Sequence, residues 1–154
     1  MIPVFKVKLV RAGSTALPAP SLSEPRQFHT LAFHKFIGQA DREHCALMMF
    51  SQGGSCIGLS LIGVGGMNVV AVSSGMLFRV ALLTNASRVI IAHNHPSGAV
   101  DPSPEDVKAT GRLQRAGWLI GIEVVDHVIV SPSRSSFVSM AERGLLGEGN
   151  GAKA

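Results

Sequence analysis

The sequence predicts an α/β domain in which amphipathic helices pack on buried strands. Three observations point to it. Apolar runs of strand length recur at 45–50 (CALMMF), 88–93 (RVIIAH) and 122–130 (IEVVDHVIV). Apolar residues at helical spacing occupy the segments before and between them, over 24–40, 75–86 and 104–116. A chain of 154 residues with 46% hydrophobic content is long enough for one packed core, and its mean hydropathy of +0.31 argues against disorder.

Taken in order, residues 4–10 (VFKVKLV) alternate apolar and lysine positions, the pattern of a half-buried edge strand. Residues 11–22 form a Gly/Pro/Ser-rich connector with no domain boundary. Ser23-Glu24-Pro25 reads as a helix start, serine as cap and proline in the first turn. Phe33, Phe36, Ile37 and Ala40 then supply an apolar face over 24–40. His29 and His34 lie on this helix without partners at ligand spacing, which makes them packing or surface residues. After the strand at 45–50, Ser51-Gln52-Gly53-Gly54 signals a hairpin into a second strand over 55–63. Gly63, Gly65 and Gly66 mark a further turn or bulge, followed by a third strand over 68–72. GVGG (63–66) lacks the Lys-Ser/Thr of a phosphate loop. Ser73 or Ser74 caps the helix 75–86, and Thr84-Asn85-Ala86 ends it. The strand 88–93, the helix 104–116 and the strand 122–130 follow. Ser133–Ser136 is a polar turn, 137–143 a short last helix, and GEGNGAKA from Gly147 a disordered tail.

Composition excludes several function classes. No Asp, Glu, Lys or Arg occurs from Cys45 to Phe78, yet polar residues and glycines interrupt the stretch. No apolar run approaches the ~18–20 residues a membrane span needs, so buried strands explain it better. The N-terminus has no apolar core of signal-peptide length, which implies a cytoplasmic protein. Cys45 and Cys56 form no CxxC pair and read as buried thiols in a reducing compartment. The formal charge of +4 permits nucleic-acid contact. However, the basic residues are scattered, tyrosine is absent and a single tryptophan offers no stacking platform. The apolar region 55–72 and the lysine-bearing first strand leave a homodimer open.

The chain is organised around residues 90–110, IIAHNHPSGAVDPSPEDVKAT. Residues two apart on a strand point the same way, so His93 and His95 can address one point in space. After a Pro/Gly loop, Ser103-Pro104-Glu105-Asp106 begins a helix whose Asp106 can supply a third ligand. Two histidines and a carboxylate, with a fourth position left to water, match the ligand arithmetic of a catalytic zinc site. Such a site also needs a carboxylate that is not a ligand, to take and return a proton. Glu43, acidic beside an otherwise neutral stretch, is the best candidate, with Asp101 and Glu105 as competitors. Ser103 has two compatible roles: capping the helix and so holding Asp106 in its first turn, or donating to a developing oxyanion, which is worth ~3–4 kcal/mol. Asp126-His127 is a further polar pair in an apolar strand. It reads either as a hydrogen-bonded pair inside the sheet or as support behind the metal ligands.

The pattern His93-x-His95, seven residues, Ser103-x-x-Asp106, with an upstream glutamate, resembles the JAMM motif of the JAB/MPN metallopeptidase superfamily. HNHPSG and PSPED, with KVKLVRAGS, DREH, ALLTNA, RLQRAGWLIGIEVVDHVIV and SMAERGLL, resemble its RadC-like branch over about residues 5–146. The match is to a stand-alone form without the helix-hairpin-helix module. The resemblance implies a three-layer α/β/α fold with a mixed sheet, similar to cytidine deaminases. It implies zinc on His93, His95 and Asp106, Glu43 as the water-activating glutamate and Ser103 as the oxyanion-stabilising serine. It also implies a peptide or isopeptide-linked protein as substrate, while the RadC label adds an association with DNA repair. One segment departs from the pattern: where relatives typically read VHPREVFK, this chain reads VSSGMLFR at 72–79. That departure implies either a different substrate or a zinc-binding scaffold without turnover.

Overall fold

The computed structural model describes residues 2–3, 6, 9–14, 19–65, 73–133 and 136–147. The strand expected over 4–10 falls mostly outside this set, as do the strand expected over 68–72 and the tail beyond Gly147. The described elements are α1 (Arg26–Ile37), β1 (Glu43–Phe50), β2 (Cys56–Gly65), α2 (Ser74–Leu83), β3 (Arg88–Asn94), α3 (Pro104–Leu119), β4 (Glu123–Val130) and β5 (Phe137–Ser139). The strands form a sheet in the order β2-β1-β3-β4-β5. Pairing is antiparallel except between β3 and β4, so the sheet is mixed.

β1 and β3 occupy the middle of the sheet and are buried on both faces, which is why they read as unbroken apolar runs. Alternate side chains enter two cores. Cys45, Leu47, Met49, Val89 and Ile91 pack with Leu77, Phe78, Ala81 and Leu113, from α2 and α3. Ala46, Met48, Phe50, Ile90 and Ala92 pack with Ala32, Phe33 and Ile37 of α1. The layers are therefore α1, sheet, and α2 with α3, as expected of the family resemblance. Among the described residues no helix is long and apolar enough to cross a membrane.

Element boundaries shift where capping differs from expectation. α1 starts at Arg26 behind Pro25, whose carbonyl accepts from Phe28 N; no side chain caps it, so Ser23 does not do so. Ser23 instead pairs with the Ser21 hydroxyl at 3.0 Å. The α1 face also differs, because Phe36 is exposed while His29, Thr30 and His34 are buried. Each histidine turns Nε2 to a backbone carbonyl: His29 Nε2 lies 3.0 Å from Ser21 O, and His34 Nε2 lies 2.9 Å from Pro132 O, while His29 Nδ1 is buried without a partner among the described residues. α2 begins one residue before the expected helix, with Ser73 Oγ accepting from Met76 N. α3 runs three residues beyond its expected end and stops at Gly121, whose φ of 74° suits glycine, as Ile122 N returns to Gly117 O.

The last helix expected over 137–143 is not formed. Residues 137–139 are β5, which pairs with Val128–Val130 of β4, and a series of turns follows over 140–144. Asp126 explains the preference. Its fully buried carboxylate accepts from Arg26 Nε (2.6 Å), Ser139 Oγ (2.6 Å), Ala141 N (2.9 Å) and His127 N (2.7 Å). One charge thus ties α1, β4, β5 and the turn behind it, and a helix over 137–143 would break that arrangement.

Two predictions arise from this packing. Asp126→Ala leaves the Arg26 guanidinium and the Ser139 hydroxyl without their acceptor and should destabilise the fold by about 3–5 kcal/mol, read by urea denaturation. The second concerns His29, whose pKa is lowered below its ordinary value by burial first and by the Arg26 charge second, against the pull of its backbone bonds. Above about pH 6.5 both folded and unfolded states carry it neutral; below that the unfolded chain takes the proton first, so stability falls with pH. Unfolding free energy measured from pH 7.5 to 5.5 should fall less in His29→Leu than in the native chain, by up to ~1.4 kcal/mol per pH unit. Equal slopes would exclude this contribution.

Candidate metal centre

The site forms where β3 meets the start of α3. The cross-strand partners of β3 give its faces: Cys45 opposes His93 and Leu47 opposes Ile91. His93 therefore follows Val89 and Ile91 on the face toward α3. His95 N donates to Val130 O at 3.0 Å, so the extended path continues beyond the strand and keeps His95 on the same face. The two Nε2 atoms lie 2.9 Å apart.

α3 brings the carboxylate. Its buried residues Asp106, Ala109, Thr110, Leu113, Gln114 and Gly117 fall at helical spacing along one stripe. Asp106 and Thr110 are thus the polar end of the stripe whose apolar part packs on the sheet. Ser103 and Asp106 form a reciprocal cap. Asp106 N donates to Ser103 Oγ (3.1 Å), and Ser103 N and Oγ both donate to Asp106 Oδ2, at 2.8 and 2.7 Å. This engages one carboxylate oxygen and leaves Oδ1 turned to His93 Nε2, 3.7 Å away. The cap is what the Ser103 hydroxyl does in this arrangement.

Glu43 opens β1 beside the histidines, with Oε1 4.0 Å from His95 Nε2 and Oε2 buried without a hydrogen-bond partner among the described residues. Its placement depends on Asn94, which points to the face opposite His93. Asn94 Oδ1 accepts from His44 N at 2.6 Å, and its Nδ2 donates to Arg42 O at 3.1 Å. The middle residue of HNH therefore clamps the backbone that presents Glu43. Sequence reading passed over Asn94, although a polar residue inside a buried strand was the available signal. The competing carboxylates are engaged or turned away: Asp101 accepts from Arg143 Nη1 at 2.7 Å, and Glu105 is exposed.

Asp126-His127 divides between the two alternatives. Asp126 serves the α1 side of the sheet, as described above. His127 lies behind the site, its Nε2 2.8 Å from His93 Nδ1 and its Nδ1 2.6 Å from Thr110 Oγ1. Thr110 was not anticipated from sequence; only its position one turn after Asp106 marked it.

Burial favours the neutral form of His93 and His127. Burial, then the nearby His127 and His95, hold His93 well below its ordinary pKa. Burial pushes His127 down to about 4, although Asp106 and Asp126 pull the other way. Burial raises the Glu43 carboxyl and Asp106 adds to it, against His95. Neutral imidazoles are the form that ligates metal.

The residues fit a divalent metal. One ligand atom from each of His93, His95 and Asp106 lies within 4.8 Å of the others. Around tetrahedral zinc, neighbouring ligand atoms sit roughly 3.3 Å apart, given bonds of about 2.0–2.1 Å. The 2.9 Å and 3.7 Å separations bracket that value. Glu43 Oε2 adds a buried oxygen with no hydrogen-bond partner among the described residues.

A family model described as the RadC-like JAB domain matches residues 22–145. A UPF0758 protein of Desulfitobacterium hafniense is 37% identical over 134 residues, covering 87% of this chain and 58% of the relative. One from Rubrobacter xylanophilus is 39% identical over 127 residues, covering 82% and 54%. The chain spans about half the length of the curated relatives it matches.

Proposed function

The chain belongs to the RadC-like JAB-domain family, and we propose that it is a zinc-dependent hydrolase of peptide or isopeptide bonds. One observation carries this reading: His93 Nε2, His95 Nε2 and Asp106 Oδ1 converge beside the half-buried carboxylate of Glu43, whose Oε1 lies 4.0 Å from His95 Nε2. His93, His95 and Asp106 would hold the zinc. A zinc ion there lowers the pKa of a bound water to about 7 and polarises a scissile carbonyl.

The chain's own groups supply the rest. Glu43 takes the proton of the attacking water and returns it to the leaving amine. Asp106 keeps its geometry through Oδ2, which the Ser103 cap secures, so Oδ1 is presented in one orientation. When its hydroxyl turns away from Asp106 Oδ2, Ser103 can donate to the developing oxyanion; the backbone N–H of Ser103 still holds the carboxylate.

The VSSGMLFR segment favours a second reading, a zinc-binding scaffold without turnover. Elemental analysis and cleavage assays on native chain, His95→Ala and Glu43→Gln separate the two. The hydrolase reading expects about one zinc per chain in the native protein, lost in His95→Ala. It expects Glu43→Gln to keep zinc and lose activity on peptide or isopeptide-linked substrates by ~10²–10⁴-fold. Zinc without cleavage in the native chain selects the scaffold. No transition metal in the native protein, after zinc is supplied and the excess removed, excludes both.

A further inference from the structure

We infer that Thr110 and His127 form a directional hydrogen-bond relay that starts at the Asp106 backbone carbonyl and fixes His93 in the tautomer with Nε2 free for metal. This rests on the reading of His93 as a ligand but is testable without metal. Thr110 and His127 are positioning residues: both act on the site through His93.

The direction follows from counting hydrogens along the chain of contacts. Thr110 Oγ1 lies 2.7 Å from Asp106 O, a carbonyl that can only accept. The single hydroxyl hydrogen of Thr110 is therefore committed there. Its other good contact, His127 Nδ1 at 2.6 Å, must then be a donor. His127 is fully buried and its ring nitrogens meet Thr110 and His93 rather than a carboxylate, so it is read as a neutral imidazole with one N–H, and its Nε2 is an acceptor. His93 Nδ1, 2.8 Å away, must donate to it. A neutral His93 with its proton on Nδ1 leaves Nε2 as a lone pair facing Asp106 Oδ1 and His95 Nε2. His95 Nδ1 separately donates to Ala99 O at 2.6 Å.

The reverse direction fails at its origin. If Thr110 donated to His127, two oxygens would stand 2.7 Å apart with no hydrogen between them. Both tautomers would also invert, placing a proton on His93 Nε2, where the metal is to bind. Met140 Sδ, 3.7 Å from Thr110 Oγ1, is a weak acceptor and does not compete with the carbonyl. The helical i to i−4 contact between Thr110 and Asp106 thus polarises the relay. Through it the residue that supplies the carboxylate ligand also orients the histidine ligand.

Thr110→Val keeps the shape and removes the hydroxyl, while Thr110→Ser restores it. Long-range ¹H–¹⁵N NMR on chelator-treated native chain should find the His93 and His127 protons on Nδ1. In Thr110→Val they should move to Nε2, and in Thr110→Ser they should return. Zinc affinity by competition with a chromophoric chelator should fall 10–100-fold in Thr110→Val and recover in Thr110→Ser. His93 found with its proton on Nε2 in the native chain overturns the relay. So does a folded Thr110→Val with native tautomers or native zinc affinity. Native Nδ1–H tautomers without any zinc binding would leave the relay standing and overturn the hydrolase reading instead.

Discussion

The site depends on which face β3 turns toward α3. β3 lies between β1 and β4, hydrogen-bonded on both sides, and its apolar residues are buried on both faces. A one-residue slip would move Val89 and Ile91 out of one core and Ile90 and Ala92 out of the other. The same slip would carry His93 and His95 away from Asp106. Packing of the apolar half of the strand therefore determines the orientation of its polar end. The histidines add no register information of their own, and they are held accurately because the six other side chains of β3 would be displaced with them.

A polar centre within such a core requires that each group be satisfied. Asp106 divides its carboxylate, one oxygen engaged by the Ser103 cap and the other left toward the histidines. His127 spends both ring nitrogens on Thr110 and His93. Asn94 spends its amide on the backbone around Glu43. Among the described residues of this centre, Glu43 Oε2 is the buried side-chain atom left without a partner, while its Oε1 stands 4.0 Å from His95 Nε2.

Much of this was legible in sequence, for local reasons. His-x-His on a strand puts two imidazoles on one side whatever the rest of the fold does. Ser103-Pro104 before an amphipathic stripe marks a helix start and places Asp106 in its first turn. Apolar runs gave β1, β3 and β4 within one or two residues. The failures were equally physical. Ser23 lost its capping role to a proline-led start, and Phe36 lost the core to His29 and His34, whose Nε2 atoms meet backbone carbonyls distant in sequence. The expected helix over 137–143 became a strand because the open edge of β4 and the Asp126 carboxylate both required partners.

The sequence by itself determined the donor set, His93, His95 and Asp106, because its spacing is set by strand and helix periodicity. Tertiary structure alone decided what stands behind that set. The register between β3 and β4 shifts by one residue after Val89–Val124, so Ile90 opposes Asp126 and Ile91 opposes His127. Without that bulge, continuing the pairing would place Asp126 opposite Ile91 on the α3 face and turn His127 toward α1. The extra residue, Val125, is absorbed against the α1 core. No periodicity in IEVVDHVIV reveals where a bulge will fall, since it is set by pairing with a strand some thirty residues earlier. That single irregularity sends the aspartate to the ion pair with Arg26 and the histidine to His93.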